Sequence, residues 1–191
     1  MKPVIKKRLT PSTAPPLCPS TTFCDGCTLT VPKGITVNEN EATLTIYGQK
    51  DGTGTVDAGS QSASWAAIGG TSNNCGGLIT INGGTVIAKG NYAGAGIGGG
   101  QRHAGTAKIV INGGTVNATA SEFGAGIGGG ARGSADITIN GGKISVSGRM
   151  GHGGAGSPSA DIKLSWKNET DSITAGSYAG NVTLEKNFTD G

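Results

Sequence analysis

The chain has 191 residues and a formal net charge of +3, and glycine supplies 37 residues, while only 4% are aromatic and 14% charged. That charge is too small to predict nucleic-acid binding, which needs a dense basic face with aromatic stacking partners. No strict Gly-X-Y period is present, which excludes collagen, and no apolar run reaches the length of about eighteen residues that predicts a transmembrane helix. Abundant glycine with regularly spaced β-branched residues favours a stacked β architecture.

Residues 1–27 are basic at the start and then rich in proline and cysteine, which predicts a flexible arm. No apolar stretch follows the basic start, so we expect this sequence to carry no export signal. Residues 181–191 still follow a strand-like pattern where the sequence stops. We therefore expect residues 28–191 to form the folded part and the chain to be a fragment of a longer protein.

Three of the four cysteines form a C-x5-C-x2-C run, Cys18, Cys24 and Cys27, and Cys75 follows far downstream. A zinc site usually needs two close pairs of ligands, and Cys75 has no neighbouring cysteine or histidine to form the second pair. The four cysteines are therefore disulfide candidates, with free thiols and metal binding as the alternatives. We predict no metal site and no cofactor.

A repeated sequence dominates the middle of the chain. ITINGGTVIA at 79–88 returns as IVINGGTVNA at 109–118 and as ITINGGKISV at 137–146. GAGIGGG at 94–100 returns at 124–130. Each unit predicts a strand, a sharp Asn-Gly-Gly turn, a second strand, a loop and a short third strand.

A unit of this size cannot bury its own apolar face, so we expect the units to stack, with equivalent apolar residues in columns. The predicted columns are Ile81, Ile111 and Ile139; Val86, Val116 and Ile144; and Ile97 and Ile127. The fold class is therefore all-β, a parallel and right-handed β-helix, or β-solenoid, of about five short coils with an irregular N-terminal arm. The alternative is a β-sandwich with coincidental glycine runs.

The phrases ITINGGTV and GAGIGGG, with LTIYGQKDGTGTV ahead of them, resemble a glycine-rich β-helix repeat of large bacterial surface proteins. Such repeats resemble carbohydrate-binding-like or pectate-lyase-like solenoids that lie beside immunoglobulin-like or cell-wall-anchoring modules. The resemblance implies a location at the cell surface or in the secreted fraction. It also implies glycans or cell-wall polysaccharide as partners and further modules flanking this chain.

Two pairs of charged residues recur at equivalent repeat positions and are candidates for ligand binding. Arg102 and Arg132 each follow GIGGG by two residues, so stacking predicts a ladder of guanidinium groups that can bind carboxylates, sulfates or phosphates of a glycan. Asp136 and Asp161 each precede a strand, which predicts a short acidic column. A repeated surface charge that keeps the molecule soluble explains the same arginines without a ligand.

The pattern favours a non-catalytic solenoid that serves as a structural spacer, adhesin or glycan-contacting element, because packing positions are regular and convergent polar residues are few. The alternative is a carbohydrate-active enzyme, a polysaccharide lyase or hydrolase, acting through Asp136, Asp161, Arg102 and Arg132. Under the hypothesis of a non-catalytic solenoid, we predict no catalytic residue. A third option is ice binding, which needs long flat ranks of threonine. Thr80 and Thr138, with the pair Thr85 and Thr115, make only a partial rank, which Val110 and Lys143 interrupt.

Overall fold

The protein is a parallel β-solenoid in which the described residues contain strands, turns and loops but no helix. This computed structural model describes residues 26–38, 42–48, 53–102 and 105–185. No helix in these ranges is long and apolar enough to cross a membrane. The strands in chain order are β1 (Thr28–Val31), β2 (Ile35–Thr36), β3 (Thr43–Ile46), β4 (Thr55–Gly59), β5 (Ile68–Gly69), β6 (Leu78–Ile81), β7 (Thr85–Lys89), β8 (Ile97–Gly98), β9 (Thr106–Ile111), β10 (Thr115–Thr119), β11 (Ile127–Gly128), β12 (Ser134–Ile139), β13 (Lys143–Gly151), β14 (Ala160–Ser165), β15 (Ser172–Ala179) and β16 (Asn181–Glu185).

The strands stack along three faces, and every pair is parallel. The first face contains β1, β4, β7, β10, the first half of β13 and β15. The second face contains the two-residue strands β2, β5, β8 and β11, which continue into the second half of β13. The third face contains β3, β6, β9, β12, β14 and β16. Each face therefore receives one strand from each coil.

The repeated sequence produces this arrangement because alternating residues of a strand point to opposite sides. In β9 and β12 every second residue is buried, and the residues between them face outward. The Asn-Gly-Gly turn then carries the chain from the third face to the first. Gly114 has a φ of 92° at this turn, a conformation that glycine adopts without steric penalty.

The apolar columns predicted from the repeat are confirmed. Ile111 pairs in register with Ile81 and Ile139, and Val116 pairs with Val86 and Ile144. Ile127 likewise pairs with Ile97. All of these side chains are almost completely buried and form one continuous core.

A ladder of asparagine side chains follows the corner between the third and first faces. Asn112 donates a hydrogen bond from Nδ2 to Oδ1 of Asn82, and Asn140 donates the same bond to Asn112, each at 2.7 Å. Ser165 takes the next place, and its hydroxyl donates to the carbonyl of Ile139. The ladder satisfies the half-buried amides that a sharp corner would otherwise leave without partners.

The fifth and sixth coils are shorter than the second, third and fourth coils at one corner. In the fourth coil the loop 120–126 separates β10 from β11, whereas β13 continues through the same corner with a register shift between Val146 and Arg149. As a result the loops 60–67, 90–96 and 120–126 form a stack that ends above β13. The first and second faces join there into one ten-stranded sheet.

The predicted all-β parallel solenoid of about five coils is confirmed, and the β-sandwich alternative is wrong because the strand pairs are all parallel. The first strand of the described chain begins at Thr28. The predicted arm at 1–27 lies outside the described residues except for Gly26 and Cys27, so the arm and the domain boundary stay predictions.

Candidate functional site

Asp136 and Asp161 are in-register neighbours on β12 and β14, and both are exposed. Each also has a polar neighbour in the next strand. Lys108 lies opposite Asp136 on β9, and Asn181 of β16 donates from Nδ2 to Oδ1 of Asp161 at 3.1 Å. The two carboxylates therefore stand side by side on an open sheet, and ligand binding by them stays a prediction.

The structure gives these two acids no third carboxylate partner. Within the described ranges no group of three or more histidine, cysteine, aspartate or glutamate residues is arranged to hold a metal ion. Cys27 is exposed and Cys75 is buried, while Cys18 and Cys24 lie outside the described residues. The disulfide candidates stay predictions.

Arg102 and Arg132 occupy equivalent places in consecutive coils, and both are exposed. The backbone N–H of Arg102 donates to the carbonyl of Ala131 at 2.8 Å, and that of Arg132 donates to Gly154 at 2.9 Å. Both residues have left-handed backbones, with φ of 57° and 64°. A left-handed conformation costs a non-glycine residue about 1–2 kcal/mol, so the two arginines are held at a backbone penalty that glycine would avoid.

The same left-handed column continues above and below the arginines. Asn73, with a φ of 63°, donates its backbone N–H to Gln101, and Ala155, with a φ of 67°, occupies the place after Gly154. We call the column Asn73, Arg102, Arg132 and Ala155 the arginine corner.

The arginine corner is joined by backbone hydrogen bonds to the stacked loops on the other side of the short second face. Ala131, which accepts the bond from Arg102, donates its own N–H to Ala93 at 2.7 Å. Gly154, which accepts the bond from Arg132, donates to Phe123 at 2.7 Å. A single residue, Ala131 or Gly154, therefore bridges each arginine by backbone hydrogen bonds to a stacked loop, at Ala93 for Arg102 and at Phe123 for Arg132.

Two aromatic side chains lie at this place in the loops. Tyr92 and Phe123 meet edge to face, with ring centroids 5.1 Å apart and an interplanar angle of 79°. Tyr92 is 52% exposed and has a φ of 44°, so it is a bulky residue in a left-handed conformation at the surface. Ser121 fixes the loop, because its hydroxyl donates to the carbonyl of Gly94 and accepts from the N–H of Gly124.

A third arginine contacts the same place from β13. Arg149 lies at the register shift of β13, and its Nη1 lies against Gly154, where a Cβ atom would come within 2.9 Å of it. In the described part of the chain this Nη1 is the buried side-chain nitrogen or oxygen that lacks a hydrogen-bond partner. A buried guanidinium donor without a partner is uncommon in proteins.

We define the corner surface as Arg102, Arg132, Arg149, Tyr92 and Phe123. In the described ranges the structure has one ion pair, between Lys89 and Asp57 at 3.9 Å, so no ion pair occupies the arginines of this surface. Five non-glycine residues in these ranges have positive φ. Three of them, Tyr92, Arg102 and Arg132, belong to the corner surface, and the other two, Asn73 and Ala155, complete the arginine corner. Strained backbones of this kind cluster at functional sites.

The repeat spacing predicts the two corner arginines but not the other three residues of the corner surface. Tyr92 and Phe123 are offset by one place relative to GAGIGGG, so a strict repeat comparison does not align them. Arg149 lies where the repeat is degenerate and no longer matches GAGIGGG. The chain has only eight aromatic residues, and two of them, Tyr92 and Phe123, fall in equivalent loops. This coincidence was the sequence signal that could have marked the two loops as a candidate site.

A threonine column on the first face was also recognised only in part. Thr28, Thr55, Thr85 and Thr115 pair in register across four strands, and Lys143 follows them. On the third face Val110 interrupts the rank between Thr80 and Thr138, as expected. The first two members were missed because the repeat is degenerate in the first coils.

The molecule is a parallel β-solenoid of stacked repeats, with Arg102 and Arg132 at one corner and with Asp136 and Asp161 on the third face. Residues 79–101 and 109–131 match the family model described as Beta helix repeat. Two segments of the chain thus match a beta helix repeat, which confirms the β-helix resemblance, while the finer resemblance to carbohydrate-binding-like or pectate-lyase-like solenoids stays a prediction. Searches of curated proteins and of solved structures found no match.

Proposed function

We propose that this chain is a non-catalytic β-solenoid module of a surface or secreted protein, acting as a rigid spacer that contacts acidic glycans through its corner surface. The observation that carries the proposal is the position of Arg102 and Arg132 in strained backbone conformations, joined through Ala131 and Gly154 to the loops that contain Tyr92 and Phe123. The surface or secreted location rests on the resemblance of the repeats to those of large bacterial surface proteins. Further modules on either side of the chain are part of the same proposal.

The chemistry of the corner surface suits a sugar that carries carboxylate or sulfate groups. A guanidinium group binds such planar or tetrahedral anions through paired hydrogen bonds. An exposed aromatic ring provides an apolar face against which the C–H face of a sugar ring packs. Coils repeat every ~4.8 Å along the solenoid, so the two exposed arginines present charges at the spacing of consecutive coils.

The backbone strain supports a role for the arginine side chains themselves. Glycine is abundant in the neighbouring turns and would fit the left-handed positions of Arg102 and Arg132 without steric penalty. A surface charge needed only for solubility does not require a strained position. The cost at these two positions is therefore better explained by recognition than by solubility alone.

The experiment is binding of the purified chain to an array of acidic polysaccharides, including pectins, alginates and host glycosaminoglycans, together with peptidoglycan fragments. The test variant is Arg102→Gly with Arg132→Gly. Glycine relieves the left-handed strain, so we expect an unchanged or higher melting temperature together with at least a tenfold loss of binding. A second variant, Tyr92→Ala, is expected to weaken binding to the same glycans.

The matched control is Lys33→Thr with Lys143→Thr, which removes the same charge from exposed positions elsewhere. It should retain binding, apart from a small change due to net charge. Equal loss of binding in the control and in the arginine variant would indicate nonspecific charge attraction. Absence of binding by the wild-type chain to any acidic glycan would contradict the proposal.

The enzyme alternative has one favourable observation, the in-register pairing of Asp136 and Asp161. Glycoside hydrolysis uses two carboxylates about 5–10 Å apart, and the acid among them usually lies in an apolar pocket. Both aspartates are exposed on an open sheet, which favours the non-catalytic proposal. Turnover of any polysaccharide on the array that Asp136→Ala abolishes would establish the enzyme instead.

A further inference from the structure

Three Asn-Gly-Gly turns of the solenoid share one local sequence. Ile-Asn-Gly-Gly occurs at 81–84, 111–114 and 139–142, which we call the first, second and third turn, and their asparagines form the hydrogen-bonded ladder. Asparagine is a thermolabile residue, and a following glycine has no side chain to hinder the attack of its nitrogen on the asparagine Cγ atom. Equal local sequence predicts equal reaction rates in an unfolded chain. Any difference between the turns in the folded protein therefore comes from their surroundings.

The third turn is covered by the loop 166–171, which joins β14 to β15 and which we call the strap. A Cβ atom on Gly141 would come within 2.8 Å of Oδ2 of Asp171 and within 3.3 Å of Cγ of Lys167. Gly141 is accordingly buried, whereas Gly113 at the equivalent place of the second turn is half-buried. The strap therefore restricts water and backbone movement at the third turn.

The two charged side chains of the strap act in opposite directions on the second and third turns. Lys167 donates a hydrogen bond from Nζ to the backbone carbonyl oxygen of Asn112 at 3.0 Å. A cation on this oxygen withdraws electrons from the peptide group that joins Asn112 to Gly113, so the N–H of Gly113 loses its proton more readily. At the third turn the neighbouring charge is the carboxylate of Asp171, which opposes loss of the proton from the N–H of Gly141.

We propose that Asn112 is a site of spontaneous deamidation and that the strap protects Asn140 from the same reaction. The nitrogen of Gly113 attacks Cγ of Asn112 and forms a cyclic succinimide. The N–H proton of Gly113 and the side-chain NH2 group leave together as ammonia. Water then opens the ring and gives aspartate or isoaspartate at position 112.

The reaction removes one bond of the ladder. Neither product has the Nδ2 donor that Asn112 presents to Asn82, although a carboxylate still accepts the bond from Asn140. Isoaspartate also adds a methylene group to the main chain, at a turn where a Cβ atom on Gly114 would come within 2.6 Å of the carbonyl oxygen of Gly84. Conversion of Asn112 is therefore expected to loosen the contact between the second turn and the first.

The test is incubation of the folded 191-residue chain in mildly alkaline buffer, well below its melting temperature, followed by peptide mapping with mass spectrometry. Cleavage after lysine and arginine places the three turns in separate peptides, 51–89, 109–132 and 133–143. We expect Asn112 to convert at least about tenfold faster than Asn140 in the folded chain, because the third turn reacts only when the strap opens. In denaturant the two asparagines should convert at the same rate.

Two variants separate the contributions of the strap. Asp171→Ala releases it and should raise the rate at Asn140, while the rate at Asn82, one coil beyond the contacts of the strap, stays unchanged. Lys167→Met keeps an aliphatic side chain over the third turn but removes the ammonium group. It should lower the rate at Asn112 and leave the rate at Asn140 unchanged.

Several results would overturn the proposal. They are equal rates at Asn112 and Asn140 in the folded chain, no conversion at Asn112, and an unchanged rate at Asn112 in Lys167→Met. Acceleration of all three turns to the same extent in Asp171→Ala would show a general loosening of the solenoid and would also overturn it. None of these results bears on glycan binding at the corner surface.

Discussion

Asn140 donates a hydrogen bond of 2.7 Å from its Nδ2 atom to Oδ1 of Asn112, and Asn112 makes the same bond to Asn82 one coil further along. Asn112 is therefore both donor and acceptor, and the half-buried corner has a continuous chain of bonds parallel to the solenoid axis. The central member, Asn112, is the one whose loss leaves two partners unsatisfied.

Replacing this central amide tests the contribution of the ladder. We expect Asn112→Ala to lower the free energy of unfolding by about 1–3 kcal/mol, because Asn82 and Asn140 each lose a partner in a half-buried place. Chemical denaturation measures the change. Asn117→Ala is the control, since Asn117 is exposed on β10 of the same coil, and it should change stability by less than about 0.5 kcal/mol. Equal effects of the two substitutions would mean that the ladder adds nothing.

The assignment of inward and outward positions is tested by two adjacent residues of β9. Ile111 is completely buried between Ile81 and Ile139, so Ile111→Asp places an unpaired charge in the core and should prevent the solenoid from folding. Val110 points outward, and Val110→Asp should change stability by no more than about 1 kcal/mol. Circular dichroism and thermal melting distinguish the two, and similar results for both would show that the assignment is wrong.

The glycine column of the second face limits which residues fit there. Gly98 has a φ of 130°, and a Cβ atom at this position would overlap the carbonyl oxygen of Gly128 in the next coil. We therefore expect Gly98→Ala to destabilise the protein by more than about 1 kcal/mol. At Gly113 a Cβ atom would meet its nearest neighbour, the carbonyl oxygen of Asn82, at an ordinary 3.7 Å. Gly113→Ala should accordingly keep its melting temperature close to that of the wild type.

Asp171 gives the solenoid a dependence on acid pH. Burial raises the pKa of its carboxyl. Hydrogen bonds from the backbone N–H groups of Gly142, Lys167 and Asn168 lower that pKa by more than burial raises it, so the net pKa lies below the usual 3.8. A folded-state pKa below the unfolded one stabilises the fold above the unfolded pKa of about 3.9, and this contribution is lost as the pH falls through the folded value.

Substitution of this carboxylate should therefore matter most near neutral pH. Asp171→Asn is expected to be less stable than the wild type above about pH 5, and the difference should shrink as the pH falls below about 4. Denaturation at a series of pH values measures it. A difference in unfolding free energy that stays constant down to pH 2 would contradict the role given to these hydrogen bonds.

The repeat by itself determined the class of fold and most of its register. Copies of one sequence can bury their apolar residues only if equivalent positions stack, so the spacings of 30 and 28 residues were enough to place Ile111 between Ile81 and Ile139. The same reasoning put Asp136 beside Asp161. These predictions needed only periodicity, because in a parallel solenoid each repeat of the sequence forms one coil and so advances the chain by one coil along the axis.

Only the tertiary structure decided which residues meet across a corner. Arg102 and Arg132 are joined through Ala131 and Gly154 to the loops that contain Tyr92 and Phe123, because segments on opposite sides of the narrow second face form hydrogen bonds. This relationship links different parts of the repeat, and periodicity does not specify it. The left-handed backbones of the arginines are likewise a consequence of how the coils close. Sequence spacing fixes neighbours along the axis, whereas neighbours across it depend on the path of the backbone in three dimensions.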